Sequence, residues 1–515
     1  MRRAAPSARL RGEGWGEGRR VTLWKNVVVL AALVSACTVG PDYQRPDAPV
    51  TPQYKEAGWK IGEPLDAIDR GVWWSVYKDP LLDDLEKQID ISNQNLKAAE
   101  AAFQQAEWIV AQARAGFFPT GTVNASAQRS RSGTGAAVAG TGIGGVISNQ
   151  FSTSTSASWV PDLWGKIRRT VESNVASAQA SAGDLASARL SAQGALASDY
   201  LQLRIADELK RLLDSAANYY FESLRIIRNQ YQSGTADQSA VSQAEAQLRS
   251  TQAQAIAVGV TRAQLEHAIA VLIGKPPAEF SIPPTDQVIA VPVIPAGLPS
   301  ALLERRPDVA AAERLMASAN AQIGVAVAAF YPDITLSADF GVMALKTAKL
   351  FTEQARFWAF GSTLAETVFD AGARHAVVEQ TLAVLDQTIA NYRQSVLTAF
   401  QQVEDELAAL RILAQQAEVQ DKAVTAAFEA ERIINNQYLA GTVAYTSVIV
   451  AQQTALSNAE TAVNIRQSRL VASAALIQAL GGGWDTTQLP SREGIVENAP
   501  LNFSPFPPAT EVRNP

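Results

Sequence analysis

Cys37 is the single cysteine among 515 residues, and it directly follows Leu33-Val34-Ser35-Ala36. A lone thiol rules out an intrachain disulfide and any zinc site built on cysteines. What a thiol at the end of an apolar run with small residues before it can do is accept a lipid. Two readings stand beside that one, an ordinary signal peptide and a buried thiol. The other candidate groups are sparse. The two histidines are His267, in Gln264-Leu265-Glu266-His267, and His375, which follows Arg374. No carboxylate cluster at ligand spacing accompanies either, so they read as surface or interhelical side chains. Gly140 to Gly145 (GTGIGG) has the glycines of a phosphate loop but neither its lysine nor a following helix, so it reads as a mobile loop. Glu404-Asp405-Glu406 reads as a solvated acidic face, with a pore-facing acidic band as the other possibility. No catalytic constellation emerges, and the chain is expected not to be an enzyme.

Val27 to Ala36 is the most apolar stretch. Ten residues cannot cross a bilayer as a helix, which takes ~20. With Lys25 and the arginines before it, the stretch fits a secretory signal, and ending on Cys37 it resembles a bacterial lipoprotein signal over residues 1–36. The signal peptidase then cuts before Cys37, whose thiol takes diacylglycerol and whose new amine is acylated with a palmitate-type chain. Several acyl chains make a stable anchor where one is marginal. Thr38 follows, not the aspartate of an inner-membrane retention signal. The first 20 residues are long for such a signal, and translation starting near Val21 or Leu23 is one account of them. From Cys37 to about 70, prolines and glycines without periodicity read as an extended tether on a surface.

Lysine plus arginine is 44 and aspartate plus glutamate 50, for a net charge of −6. That balance argues against nucleic acid as a partner. A charged fraction of 18% is too low for a disordered chain, and the apolar residues are too evenly spread for a polytopic helical membrane protein.

The chain repeats itself at offsets of about 207 to 213 residues. Asn95 to Glu100 matches Asp308 to Glu313, and Gly116-Phe117-Phe118-Pro119 matches Ala329-Phe330-Tyr331-Pro332. Leu203-Arg204 matches Leu410-Arg411. Asn229-Gln230-Tyr231 with Gly234-Thr235 matches Asn436-Gln437-Tyr438 with Gly441-Thr442. Leu272-Ile273-Gly274 falls on Ala479-Leu480-Gly481. The repeats are expected over 71–280 and 299–485, joined by a linker at 281–298 and followed by a proline-rich tail at 486–515.

Each repeat reads as helix, two strands, then two long helices. From Ala371 to Tyr438 the apolar positions Leu382, Leu385, Ile389, Tyr392, Val396, Ala399 and Val403 step mostly by threes and fours, a coiled-coil seam. A helix of this length is about 100 Å long and cannot be the core of a compact domain. Its counterpart is predicted from Leu163 to Tyr231, with return helices from Gln238 to Ile273 and from Tyr445 to Leu480. Between them, Thr120 to Arg129, Gln150 to Val160, Pro332 to Val342 and Trp358 to Val368 have the length and weak alternation of transmembrane β-strands. Aromatic residues flank them: Phe117, Phe118, Trp159 and Trp164 in one repeat, Phe330, Tyr331, Phe357, Trp358 and Phe369 in the other. Aromatic girdles mark the membrane interfaces of such barrels. The smallest outer-membrane barrels have eight strands, and open edges in lipid are not tolerated. Four strands therefore require several chains to share one barrel.

Cys37 to Tyr43 (CTVGPDY), Asp162 to Arg168 (DLWGKIR), Leu302 to Val309 (LLERRPDV) and Ala329 to Pro332 together resemble the TolC-like outer-membrane efflux factors, in the lipoprotein branch typified by OprM and NodT. The resemblance covers nearly all of the mature chain. It implies an α+β membrane protein: a homotrimer with four strands per protomer in one 12-stranded outer-membrane β-barrel, and long coiled-coil helices forming a periplasmic α-barrel. It also implies an outer-membrane location and a passive exit duct in a tripartite system. The partners would be a periplasmic membrane-fusion adaptor, an inner-membrane RND-type pump and outer-membrane lipid, with no cofactor apart from the lipid on Cys37. The periplasmic aperture and adaptor contact would fall on Tyr231, Gly234, Thr235, Asp237, Tyr438, Gly441, Thr442 and Tyr445. Glycine suits the left-handed position at a helix end, and Gly234 and Gly441 are expected there. Family members often carry aspartates just past the second tip. Here those positions read Ser447 and Val450, and the matching position of the first repeat is Ala240. Asp237 is the nearest acid, either as a partial replacement or as the cap of the return helix. Tyr231 and Tyr438 read equally as gate contacts or as packed seam aromatics. Two other functions stay open, the outlet of a type I protein secretion system and a periplasmic coiled-coil scaffold without strands.

Overall fold

The computed structural model describes residues 38–48, 53–56, 72–131, 147–294 and 302–504. Cys37, the signal segment before it and the GTGIGG loop lie outside the described residues. The order of elements is α1 (Pro80–Ser92), α2 (Gln94–Ala115), β1 (Thr120–Arg131), β2 (Ile147–Trp159), α3 (Lys166–Gln232) and α4 (Gln238–Leu272). A single turn at Leu302–Arg305 leads into α5 (Pro307–Ala328), β3 (Asp333–Ala344), β4 (Arg356–Ala365), α6 (Ala373–Leu439), α7 (Tyr445–Ala479) and α8 (Arg492–Asn498).

The two longest helices, α3 and α6, have 67 residues each, and their return helices α4 and α7 have 35 each. Both long helices start later than the apolar pattern suggests, and the backbone gives the reason. Gly165 and Gly372 sit before them with φ of 81° and 87°, in the left-handed region that ends strand-derived chain and opens the first turn. A carboxylate holds each junction. Asp162 accepts from the Ile167 and Arg168 amides at 3.0 and 2.9 Å. Asp370 accepts from the Gly372 and Arg374 amides at 3.0 and 3.1 Å, and Arg374 Nε adds a bond at 2.7 Å.

The helices form a curtain with two open sides. Toward the sheet the lateral order is α2, α3, α5, α6. Toward the far tips it is α4, α3, α7, α6. Between these regions α1 and the buried Trp73 and Tyr77 pack on the middle of α3 and on α7, building the largest core around Leu82, Ile89, Leu196, Tyr200, Ile269 and Ile477. The outer helices are the ones left bare. Ile256 and Val260 on α4 and Ile412 and Val419 on α6 are exposed. Helix α4 is even long and apolar enough to cross a membrane by length and composition, yet it runs antiparallel to α3 with Leu248 and Ala244 buried against it.

The strands make one antiparallel sheet in the order β1-β2-β3-β4. The pairing of β2 with β3 joins the two repeats, with Trp159 opposite Leu336. Strand β4 begins two residues earlier than predicted and ends at Ala365 rather than Val368. Its partner β3 starts at Asp333, opposite Ala365, so residues 366–368 have nothing to pair with. Three further differences concern connections. The first-repeat helix is split at Asn93, whose side chain caps α2 through the Leu96 amide at 2.9 Å. Two short 3-10 turns occupy the β3–β4 loop. The proline-rich tail contains α8, which packs on α2 and whose Asn498 amide donates to Glu107 on α2 at 2.7 Å.

Candidate functional site

Residues opposite each other in a sheet share a face, and neighbours along a strand alternate. That rule and the register sort the strands into two chemistries. One face carries Val123, Ala125 and Ala127, then Phe151 and Trp159 with Thr153 and Thr155 between them, then Ile334, Leu336, Ala338, Phe340 and Val342, then Trp358, Phe360 and Leu364 with Arg356 and Ser362. The other carries Thr122, Asn124, Ser126 and Gln128, then Ser152, Ser154, Ser156 and Ser158, then Thr335, Ser337, Asp339 and Met343, and Phe357 on β4. Ser126 and Ser152 are hydrogen-bonded there at 2.8 Å. A single sheet apolar on one side and hydroxyl-rich on the other fits lipid against one face and water against the other. The outer edges of β1 and β4 have no pairing partner among the described residues.

The aromatic residues form two rows. At the helix end, Trp159 Nε1 donates to the Phe117 carbonyl at 3.0 Å and Trp164 Nε1 to the Pro332 carbonyl at 2.8 Å. Trp164 stacks on Tyr331 at 4.9 Å, Phe118 meets Phe503 edge-on, and Arg374 lies 5.1 Å over Phe330. Phe369 is exposed beside this row. Trp358 belongs to the other end, opposite Phe340 and 5.6 Å from Phe360. Seven residues of strand separate Trp358 from Ala365, about 23 Å at ~3.3 Å each, close to the ~25 Å apolar band of such barrels.

The tips at the far ends of the long helices are built alike. In the first, the Thr235 amide donates to the Gln230 carbonyl at 2.8 Å and the Gly234 amide to the Tyr231 carbonyl at 3.0 Å. In the second, Thr442 donates to Gln437 at 3.0 Å and Gly441 to Tyr438 at 2.9 Å. This is the Schellman pattern, which needs a left-handed residue after the helix. Gly234 and Gly441 supply it with φ of 76° and 75°, and a Cβ would meet nothing at either. Glycine is there for its backbone, not for space. Thr235 and Thr442 repeat the bond with their hydroxyls, at 3.0 and 2.9 Å.

The tyrosines divide. Tyr231 is 46% exposed. Tyr438 reaches across to the other hairpin and donates to Gln230 Oε1 at 2.7 Å, with its ring 5.3 Å from that of Tyr445. Tyr445 is buried among Tyr220, Leu224, Ile227 and Val448, and burial pushes its hydroxyl up to about 12. Asp237 occupies the N-cap position of α4 with extended backbone, but its side chain makes no capping bond. It is an exposed carboxylate at the tip, and the expectation of a side-chain cap is corrected. Val450 is exposed as well.

The extended segment after Cys37 was visible in sequence, but not its path. The Val39 amide donates to the Trp164 carbonyl at 3.2 Å, which starts the segment at the strand–helix junction. The buried Arg169 binds the Val39 and Gly40 carbonyls at 3.2 Å each and Asp42 at 2.9 Å. Tyr43 donates to Glu313 at 2.5 Å and Arg45 to the Tyr392 hydroxyl at 3.1 Å. Farther down, Glu404 accepts from the Lys55 and Glu56 amides at 2.6 and 3.1 Å, and Arg411 pairs with Glu56 at 2.7 Å. Glu404 therefore belongs to the strap and not to a bare solvated face. Arg204, which the repeat matches to Arg411, ties down another extended segment through the Pro283 carbonyl at 2.9 Å.

His267 and His375 are exposed and far apart in the fold, and no group of three or more metal-binding side chains occurs among the described residues.

Residues 85–275 and 298–482 match the family model described as outer membrane efflux protein. The chain is 31% identical over 483 residues to the pyoverdine export outer membrane protein OpmQ of Pseudomonas aeruginosa, covering 92% of this chain and 98% of that one. It is 29% identical over 463 residues to the toluene efflux pump outer membrane protein TtgC of Pseudomonas putida, covering 89% and 95%. The solved structure of the outer-membrane channel OprN superposes with a TM-score of 0.78 at 28% identity, over 87% of this chain and 100% of that one.

Proposed function

The chain belongs to the outer membrane efflux protein family, and on that premise we infer that three copies form a passive exit duct, open to the exterior through a shared 12-stranded barrel. The observation that carries this reading is the sheet whose two outer edges are unpaired among the described residues, with one apolar face and one hydroxyl-rich face. An open edge in hydrocarbon leaves backbone groups unbonded at several kcal/mol each. Pairing β1 of one copy with β4 of the next removes the edges. The helical curtain supports the same closure, because its outer helices α4 and α6 carry the exposed Ile256, Val260, Ile412 and Val419 that a neighbour would cover. A periplasmic scaffold that never enters the membrane has no use for this sheet.

The remaining assignments follow from that assembly. The helix tips at Tyr231 to Asp237 and Tyr438 to Tyr445 form the periplasmic aperture and meet a membrane-fusion adaptor. An RND-type pump in the inner membrane supplies the energy. Toluene and pyoverdine appear in the names of two relatives, which supports small molecules as cargo. Cys37 carries the lipid, and the Val39–Trp164 bond supports that site, because it sets the start of the described chain beside the helix-end aromatic row. The test is the mass and single-channel conductance of the purified lipoprotein in a planar bilayer. A conducting trimer is expected. A monomer in detergent without conductance overturns the shared barrel.

A further inference from the structure

Near the tips, α3 and α6 approach each other over α7 and leave a cleft of about 420 Å³. Its walls are Tyr219 and Tyr220 from α3 and Phe428 and Glu431 from α6, and its floor is Gln452 and Leu456 from α7. The volume lies in the range of small-molecule sites.

Three features of the lining select a ligand. The first is aromatic surface. The Tyr219 and Tyr220 rings are 5.9 Å apart, and Phe428 and Tyr219 are each partly open to solvent. The second is unbalanced negative charge. Arg432 also borders the cleft, but it is taken by Glu429 at 2.7 Å. Glu431 forms no ion pair among the described residues, and its carboxylate faces the Tyr219 hydroxyl. The third is a polar floor. Gln452 is 2% exposed, and its side chain faces the Tyr219 hydroxyl, which also faces Glu431.

We propose that this cleft is a binding site for flat aromatic cations. The rings take the flat body of the ligand through face contacts and cation–π attraction. Glu431 takes the charge. The cleft borders the aperture cluster, since Tyr220 packs with Tyr445, and it draws its walls from both hairpins of one protomer.

The experiment is a fluorescence titration of the purified full-length protein with berberine, a permanently charged flat aromatic cation bearing ether oxygens. Empty detergent micelles at the same concentration give the background. Saturable binding above that background is expected, with one site per protomer. Glu431→Gln should weaken it at least 10-fold and Phe428→Ala about fivefold. Glu418→Gln, which alters an exposed carboxylate paired with Lys422 outside the cleft lining, should leave it unchanged. Each variant is first required to elute as the wild type does. A titration no different from micelles alone overturns the proposal. So does wild-type affinity in Glu431→Gln, or an equal loss in Glu431→Gln and Glu418→Gln, which would mean general surface charge.

Discussion

The Tyr438 hydroxyl donates to Gln230 Oε1 across the two hairpin tips of one protomer, at 2.7 Å. Gln230 itself belongs to the turn of the first tip, because its carbonyl receives the Thr235 amide and hydroxyl. This side-chain bond joins the two turns at the end of the apolar cluster in which Tyr445 and Val448 pack against Tyr220, Leu224 and Ile227.

Removing that hydroxyl should loosen the tips without disturbing the fold. A neutral hydrogen bond contributes about 0.5–1.5 kcal/mol, equivalent to a roughly 2- to 10-fold shift in a two-state population. Tyr438→Phe is expected to raise the mean single-channel conductance or the open fraction by a factor of that size, with an unchanged melting temperature. Identical current traces would mean the bond has no part in closing the aperture.

The two faces of the sheet predict opposite fates for neighbouring residues. Ala338 lies on the apolar face and Ser337 on the hydroxyl face, both near the middle of β3. A lysine facing lipid at mid-depth costs about 2–4 kcal/mol, and three copies would multiply it. Ala338→Lys should abolish heat-modifiable trimers in the outer membrane. Ser337→Lys should assemble and change ion selectivity instead. Normal assembly of both would mean the faces are not divided between lipid and water.

Arg169 is buried and holds the Val39 and Gly40 carbonyls together with Asp42 and Glu172. Charged hydrogen bonds of this kind contribute about 1.5–3 kcal/mol each before compensation by water. In Arg169→Ala the strap should detach over its first residues. Limited chymotrypsin digestion should then cut after Tyr43, ahead of Gln44, several-fold faster than in the wild type, while the helices stay resistant. Equal rates would place the hold elsewhere along the strap.

Glu86 on α1 is fully buried, and neither carboxylate oxygen has a hydrogen-bond partner. Burial, then the nearby Asp90 and Asp83 carboxylates, pushes it up to about 9. Asp90 itself is paired with Arg189 at 2.9 Å. A carboxyl raised in the folded state keeps its proton while the unfolded chain has lost it. Its stability contribution is complete below the unfolded value near 4.5 and falls as pH rises toward 9, at up to about 1.4 kcal/mol per pH unit. The melting temperature of the wild type should therefore fall between pH 5 and pH 9. Glu86→Gln, which keeps the neutral shape, should flatten that fall and melt higher at pH 8. A parallel pair of pH curves would show that Glu86 is not the group responsible.

Much of this fold was legible because its signals are local. The absence of proline across α6, with Tyr392, Val396, Ala399 and Val403 at three-four spacing, implied a helix about 100 Å long before any contact was known. Gly234 and Gly441 marked the tips because no other residue takes a φ near 75° without strain. The strands were harder. Thr120 to Arg129 has no strong pattern of its own, and its reading rested on its place between helices and beside Phe117 and Phe118. The exact end of β4 was not legible, since it depends on where β3 begins.

Other features depend on residues far apart in the chain. Glu404 looked like one acid in a solvated run, yet it holds the Lys55 and Glu56 amides. Asp237 had the right type and position for a cap, yet its side chain does not turn back. The berberine cleft joins Tyr219, Glu431 and Gln452 from three helices, and no spacing in sequence relates them.

The sequence alone determined the repeat, the helix lengths, the glycine-ended tips and the need for more than one chain. Each of these follows from backbone sterics, periodicity or the cost of open edges, which act over a few residues or on a strand count. The tertiary structure alone decided the pairing of β2 with β3, the split of the sheet into apolar and hydroxyl faces, the path of the strap and the Tyr438–Gln230 tie. These are set by register and packing between segments that have no local code for each other, and a shift of one residue in register would exchange the two faces of the sheet.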